Sequence, residues 1–309
     1  MPTLTMSPGF PPFAEFEIRE AGLEDVATLF VTHAAVTSTG AGQLLEWTRL
    51  LEERLEAGGR AWLLLRRRQP AGYALIDPLP GLPGIVDLTG GIVPAGQRRG
   101  LGSKLLSEVI TTIRQPGIRQ LSCRVENLDE GPALFLMKHG FTVEHEECLL
   151  QLNDLSRLPP IPDHPSGNLT TYPRSKAVAE FCKLYERSFA GMPWSQPYTE
   201  AEVESILSEA EDLRFMENSA ETIGVIWLEA LGDGQARIEP LGVAQNYQGS
   251  GYGRRLLVAA LHEFRRRKIG MVEIGLWREN VAAMHLYQSL GFIEVGNWYY
   301  LAYDLAPVA

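Results

Sequence analysis

Cysteine is scarce in this chain. Only Cys123, Cys148 and Cys182 occur in 309 residues, and no two are spaced as a zinc site or a disulfide framework would require. A reduced, cytoplasmic compartment fits, and no metal site is expected. Long apolar runs are also missing. Nothing approaches the roughly 20 residues of a membrane span, and the N-terminus has no basic stretch leading into an apolar one, so a soluble, unexported protein without a membrane partner is expected. Positive charge is in short supply as well. A net charge of −10 argues against general nucleic-acid binding, which needs a basic surface. The runs Arg66-Arg67-Arg68 and Arg265-Arg266-Arg267-Lys268 are exceptions, and the second closes a predicted helix, where cations complement the helix dipole.

What is present is a repeat. Gln97-x-x-Gly100-x-Gly102 with Gly140-Phe141 recurs as Gln248-x-x-Gly251-x-Gly253 with Gly291-Phe292, displaced throughout by 151 positions. A duplicated unit of about 150 residues follows. The stretch from Leu158 to Gly167 contains four prolines and reads as an extended linker. The expected division is therefore residues 1–157, a linker over 158–167, and residues 168–309. The segment from Pro2 to Pro12 reads as a loose tail.

Each glycine turn follows an apolar run and precedes a helical pattern: Leu105, Leu106, Val109 and Ile110 in the first copy, and Leu256, Leu257, Ala260, Leu261 and Phe264 in the second. Free backbone N–H groups at a helix N-terminus bind phosphate, and glycine lets the main chain approach it closely. A dinucleotide-binding turn would want a third glycine and a P-loop would end in Gly-Lys-Ser/Thr. Neither copy has them.

In the second copy the patterns predict helices over Ala177–Ala190 and from a Thr199/Glu202 capping box. Strands are expected at Leu213–Glu217, Thr222–Leu231 and Ala236–Val243, the last two joined as a hairpin by Gly232-Asp233-Gly234. The helix after the glycine turn should run to Lys268, followed by a strand at Val272–Trp277, a helix from Asn280 and a last pair of strands after Phe292. First-copy strands are expected near Ala61–Leu65, Gly72–Ile76, Ile85–Ile92 and Leu121–Glu126. This is an α/β architecture.

These residues resemble the GNAT N-acyltransferase superfamily. Its motif is Arg/Gln-x-x-Gly-x-Gly/Ala followed by Asn-x-x-Ala-x-x-Leu-Tyr-x-x-x-Gly-Phe, and the second copy carries Gln248, Gly251 and Gly253, then Asn280, Ala283, Leu286, Tyr287, Gly291 and Phe292. Two such units in one chain are similar to the arrangement of mycothiol synthase and related tandem acetyltransferases. The resemblance implies two tandem domains, each a mixed, mostly antiparallel sheet flanked by helices, and N-acetyl transfer from acetyl-CoA to a primary amine. It implies that Gln248, Gly249, Ser250, Gly251, Tyr252, Gly253 and Arg254 cradle the cofactor's pyrophosphate, with Asn280 nearby. The edge Leu241, Gly242 and Val243 would receive the pantetheine arm between splayed strands. In the first copy Ile92, Gln97, Arg98, Arg99, Gly100, Leu101 and Gly102 occupy the matching cofactor positions.

Tyr287 stands where the family places the general acid that protonates the departing thiolate, a task suited to a phenol that stays protonated at neutral pH. The lesser alternative is a core aromatic on an amphipathic helix. His285 falls on another side of that helix and reads as a surface or packing residue. Glu239 is the candidate base, or else a carboxylate that orients the substrate ammonium. At the offset of 151, Leu136 replaces Tyr287, Asp129 replaces Asn280 and Leu88 replaces Glu239. The first copy is therefore expected to be structural or to bind CoA without turnover, although Asp87 keeps a carboxylate nearby. Trp194 and Tyr198 either wall the acceptor site or form a lid on the core. The acceptor reads as a small-molecule amine, with a peptide amino group as a variant, and the protein as a monomer or homodimer. A non-catalytic acyl-CoA-binding module is the rival reading.

Overall fold

The computed structural model describes residues 16–37, 44–114, 117–162, 168–192, 195, 197–218 and 221–305. The N-terminal tail, Trp194 and part of the Pro-rich linker lie outside the described residues.

The first half runs β1 (Phe16–Ala21), α1 (Val26–Thr37), α2 (Leu44–Glu56), β2 (Arg60–Arg66), β3 (Gln69–Pro78), β4 (Ile85–Ile92), α3 (Leu101–Ile113), β5 (Gln120–Val125), α4 (Gly131–Lys138) and β6 (Thr142–Leu152). The second half repeats the order with β7 (Asn168–Thr170), α5 (Arg174–Phe189), α6 (Glu200–Ile206), β8 (Leu213–Glu217), β9 (Thr222–Gly232), β10 (Gln235–Val243), α7 (Tyr252–Arg266), β11 (Met271–Trp277), α8 (Val281–Gln288) and β12 (Ile293–Asp304). The Thr199/Glu202 capping box forms at the start of α6, where Glu202 N–H donates to Thr199 Oγ1 at 3.2 Å. The periodic residues of α7 bury as their spacing requires: Leu256, Leu257 and Leu261 are fully covered and Phe264 nearly so.

All twelve strands form one mixed sheet in the order β1-β2-β3-β4-β5-β12-β6-β11-β10-β9-β8-β7. The expected pair after Phe292 is a single long strand, and it leaves its own half. β12 pairs antiparallel with β5 from Tyr299↔Val125 to Asp304↔Gln120, and with β6 on its other edge. β6 in turn pairs with β11, from Val272↔Leu152 to Trp277↔Glu147. Each half is thus completed by the other's final strand. Local hydrophobic pattern cannot reveal this, because β6 and β12 have the same alternation whichever neighbour they find.

Side-chain alternation sorts the helices. On one face α3 and α4 cover a core with Leu64, Leu121 and Leu301, while α7 and α8 cover one with Leu150, Ile274 and Tyr287. On the other face α1 and α2 cover Leu63 and Leu75, and α5 and α6 cover Phe215 and Trp227. Between these last two pairs the middle strands form a trough. The loops that overhang it meet where a Cβ on Gly81 would lie 2.3 Å from the carbonyl oxygen of Pro197. What remains of the linker is strapped to α7: His262 Nε2 lies 2.8 Å from the carbonyl of Pro159, and Arg255 donates to the carbonyl of Pro162.

Candidate active site

A cavity of about 740 Å³ opens where β10 and β11 part. The two strands pair in parallel only from Gln235↔Met271 to Ile238↔Ile274. Beyond that, β10 keeps its partner β9 through Val243↔Gly224, with a register shift between Ile238 and Leu241 that contains a cis Glu239–Pro240 peptide. The edge of Leu241, Gly242 and Val243 that faces β11 is therefore unpaired, and all three residues line the cavity. Backbone groups on such an edge need partners, and an extended amide-bearing chain can supply them.

One end of the cavity is the turn before α7. Gly251 caps that helix in the left-handed region at φ +87°, and Gly249 has φ +74°. Nothing stands within 4 Å of a Cβ built on either, so the main chain lies open. Gly249, Gly251, Tyr252, Gly253 and Arg254 line the cavity. Ser250 belongs to the same turn but is not among the lining residues. Gln248 lines the cavity too and also braces the turn. Its side-chain amide donates to the carbonyl of Val243 at 2.9 Å, and Gln97 does the same to Ile92 at 3.0 Å. Both glutamines stitch the turn to the end of the preceding strand. Asn280 likewise caps α8, accepting from the N–H of Ala283 at 3.2 Å.

Two features fit a pantetheine arm. The hydroxyl of Ser188, a residue only 1% exposed, has no hydrogen-bond partner among the described residues and faces the cavity. A buried hydroxyl without a partner costs free energy unless a ligand supplies one. Beside it, a Cβ on Gly242 would come 3.0 Å from that oxygen and 3.1 Å from the Phe189 ring, so only glycine leaves the space clear.

Tyr287 and Glu239 both line this cavity. Tyr287 is 4% exposed, and burial, aided by the charge of Glu239, pushes its phenol well above the usual tyrosine range. It therefore holds its proton at neutral pH. The Glu239 carboxylate is open to the cavity yet walled by protein. That partial loss of water raises its pKa, against the pull of Arg237 and with the help of Glu147, Glu229 and Glu273. Its Oε2 lies 4.0 Å from where a Cβ on Gly275 would stand. Arg237 is itself held by Glu273, with Nη2 to Oε1 at 2.6 Å.

Tyr198 sits outside the cavity lining. It packs edge-on against Phe181 and Tyr185, with ring centroids 5.3 and 4.9 Å apart, and burial raises its pKa to about 12. His285 is exposed. The sequence reading missed the acceptor-side floor: Arg124, His145, Glu147 and Leu149 from the first half, with Trp277 and Trp298. The exchange of β6 and β12 brings them here, so no local signal in the sequence marks them.

At the matching place in the first half β4 and β5 also part, pairing only from Ile85↔Gln120 to Asp87↔Ser122, but the residues there differ. β4 stays in register with β3 from Pro78↔Val86 to Gly72↔Ile92, without a bulge. Leu88 and Leu136 are buried in the core, each 7% exposed. The Phe135 ring covers Gly102, 3.3 Å from where a Cβ would stand, and Leu101 is buried while Gln97, Arg98, Arg99 and Gly100 point to solvent. Asp87 remains, its pKa raised to about 6 by burial and by Asp77, which faces it across the strand pair.

The model of the acetyltransferase (GNAT) family matches twice, over residues 29–141 and 178–292. The chain belongs to this family of acyltransferases. A mycothiol acetyltransferase of Thermobispora bispora is 27% identical over 292 residues, which is 89% of this chain and 95% of that protein. Among solved structures, a GCN5-related N-acetyltransferase from Sphaerobacter thermophilus aligns with a TM-score of 0.65 at 16% identity, covering 96% of this chain and 98% of the other. A tandem GNAT protein from the clavulanic acid biosynthesis pathway aligns at 0.61 and 18% identity, covering 96% and 100%. At these identities the structures share the fold. No helix among the described residues is long and apolar enough to cross a membrane.

Proposed function

We propose that this GNAT protein transfers an acetyl group from acetyl-CoA to the primary amine of a small molecule, and that the second half does the chemistry. The observation that carries this reading is the convergence of Tyr287 and Glu239 on one cavity with an open glycine turn and an unpaired strand edge. Bound acetyl-CoA would supply an activated acetyl group on a thiol leaving group. Gly249, Gly251, Gly253 and Arg254 would hold its diphosphate at the start of α7, and Leu241 to Val243 with Ser188 would hold its amide arm.

Glu239 takes the proton from the acceptor ammonium, because only a neutral amine has a lone pair to attack with. Tyr287 gives a proton to the thiolate as it leaves. The backbone N–H groups at the open edge of β10 stand ready to hold an oxygen that gains negative charge. The first half lacks the phenol, the matching carboxylate and the bulge, which supports a supporting role for that half. Relatives named for mycothiol, a small molecule, support a small-molecule acceptor over a protein.

Release of free CoA thiol from acetyl-CoA, measured against a panel of small amines and short peptides, tests the reading. Amine-dependent release is expected, and Tyr287→Phe should lower kcat by about 10²-fold with little change in acetyl-CoA affinity. Binding of acetyl-CoA without release in the presence of any amine would instead favour a non-catalytic binding module.

A further inference from the structure

Among the described residues, one positive charge on the floor of the trough has no ion-pair partner. Three arginines line the cavity: Arg237, Arg254 and Arg124. Arg237 is neutralised by Glu273 at 2.6 Å and Glu229 at 3.5 Å. Arg254 lies at the glycine turn and donates to Ser289 Oγ at 2.7 Å, where the cofactor's phosphates are proposed to sit. Arg124, from β5 of the first half, has no carboxylate within ion-pair distance among the described residues. Its guanidinium carbon instead lies 4.5 Å from the centroid of the Trp298 ring.

The surrounding side chains fix that position. Across the sheet Arg124, Tyr300 and His145 stand in one row, and Trp298, Glu147 and Trp277 in the next, all on the trough face. On the same face Glu147 faces His145 Nε2 at 3.5 Å, and the His145 ring stacks on Tyr300 with centroids 4.4 Å apart. A guanidinium over an indole face gains a cation–π contact and keeps its N–H fork for a planar or tetrahedral anion.

We infer that the acceptor is an amine that also bears an anionic group, a carboxylate or a phosphate, and that Arg124 holds this group while Glu239 faces the amine. The inference rests on the acetyl-transfer reading above and names its substrate class. The separation follows from the sheet. Glu239 overlies Gly275 on β11, and Trp298 lies two strands away and two residues along, so at about 4.8 Å per strand and 3.3 Å per residue the two groups stand roughly 12 Å apart. An α-amino acid is too short to span this gap. A tripeptide with a free C-terminus, or an amino sugar with a phosphate on its far side, has the required length, since an extended chain advances about 3.4 Å per residue.

Matched pairs of acceptors test this by thiol release: a tripeptide as free acid and as C-terminal amide, and an amino sugar with and without a distal phosphate. The anionic member of at least one pair should have a kcat/KM about tenfold higher or more, carried by KM, as a charge-assisted hydrogen bond provides. Whichever pair shows the gap tells carboxylate from phosphate. In Arg124→Gln the ratio within the pair should fall to about one, and Arg124→Lys should restore part of it. Because each variant is scored by a ratio on one protein sample, loss of folded protein cannot imitate the result. Equal kcat/KM within both pairs, with the neutral members acetylated, would overturn the inference and leave the transfer reading standing. A ratio unchanged in Arg124→Gln would assign the anion to another residue and overturn it as well. No thiol release with any amine would defeat both.

Discussion

Glu239 shows how a single residue ties the backbone to the chemistry. It stands at the register shift in β10, and bulges of this kind re-aim a side chain. Here the carboxylate is turned over Gly275 into the cavity, where loss of water raises its pKa above the usual carboxylate range. The sign of the pH effect follows. Glu239 accepts a proton only when ionised, so the rate should climb with pH along a limb displaced above that range. Glu239→Gln removes the limb, and the acceptor amine must then lose its proton unaided. A pH profile of kcat/KM should show the optimum moving upward and the neutral rate falling by about 10²-fold. An unmoved profile with wild-type turnover would leave Glu239 without a role in proton removal. The same shift bears on stability. A carboxyl whose pKa is raised by folding favours the native state below its unfolded pKa, and this advantage is lost as pH rises through the folded value. Glu239→Gln should therefore also raise thermal stability at neutral pH. The type of residue 239 and the Glu-Pro pair were legible in the sequence. Pro240, where β4 has Thr89, was a local sign of a break in the strand, but the direction in which the bulge turns the carboxylate was not legible.

At the scale of elements, local pattern was a good guide wherever one element made its own case. α7 follows from Gly251 at its start and from apolar spacing that buries Leu256, Leu257 and Leu261 completely. Leu257→Ala should cost about 2–5 kcal/mol, read as a lowered midpoint in denaturant unfolding with an unchanged slope. A cost below about 1 kcal/mol would mean that the α7 face packs loosely. Pattern was silent where elements depend on distant partners. The motif positions of Gln97 and Gln248 do not reveal that their side chains also fasten turn to strand. Of the two readings of Tyr198, acceptor wall or lid on the core, its packing with Phe181 and Tyr185 fits the second.

For the whole molecule, the decisive fact is the exchange of final strands. β12 completes the first half and β6 completes the second, so each half alone would expose unpaired strand edges on both sides of the gap. Residues 1–157 and 168–309, expressed separately, should each fail to give a cooperative thermal transition by circular dichroism, whereas co-expression should recover a folded complex. A second half that melts cooperatively alone would show that β6 is dispensable to it. The exchange also explains what the repeat of 151 residues concealed. Duplication made two units legible, but not that Arg124, His145 and Glu147 of the first would floor the site of the second. The first half, which has Leu136 and Leu88 where the second has Tyr287 and Glu239, still supplies a strand and a wall to the second.

The placement of acetyl transfer in the second half is tested most directly by two matched glycine substitutions. Gly100 and Gly251 both cap a helix in the left-handed region, at φ +75° and +87°, and both have open space where a side chain would go. Aspartate at either position thus brings the same strain and the same negative charge to one turn or the other. With acetyl-CoA and an accepted amine, Gly251→Asp should lower kcat/KM for acetyl-CoA by at least about 10²-fold, while folded Gly100→Asp keeps most of its thiol release. The reverse pattern, with Gly100→Asp inactive and Gly251→Asp near wild type, would put the reaction in the first half.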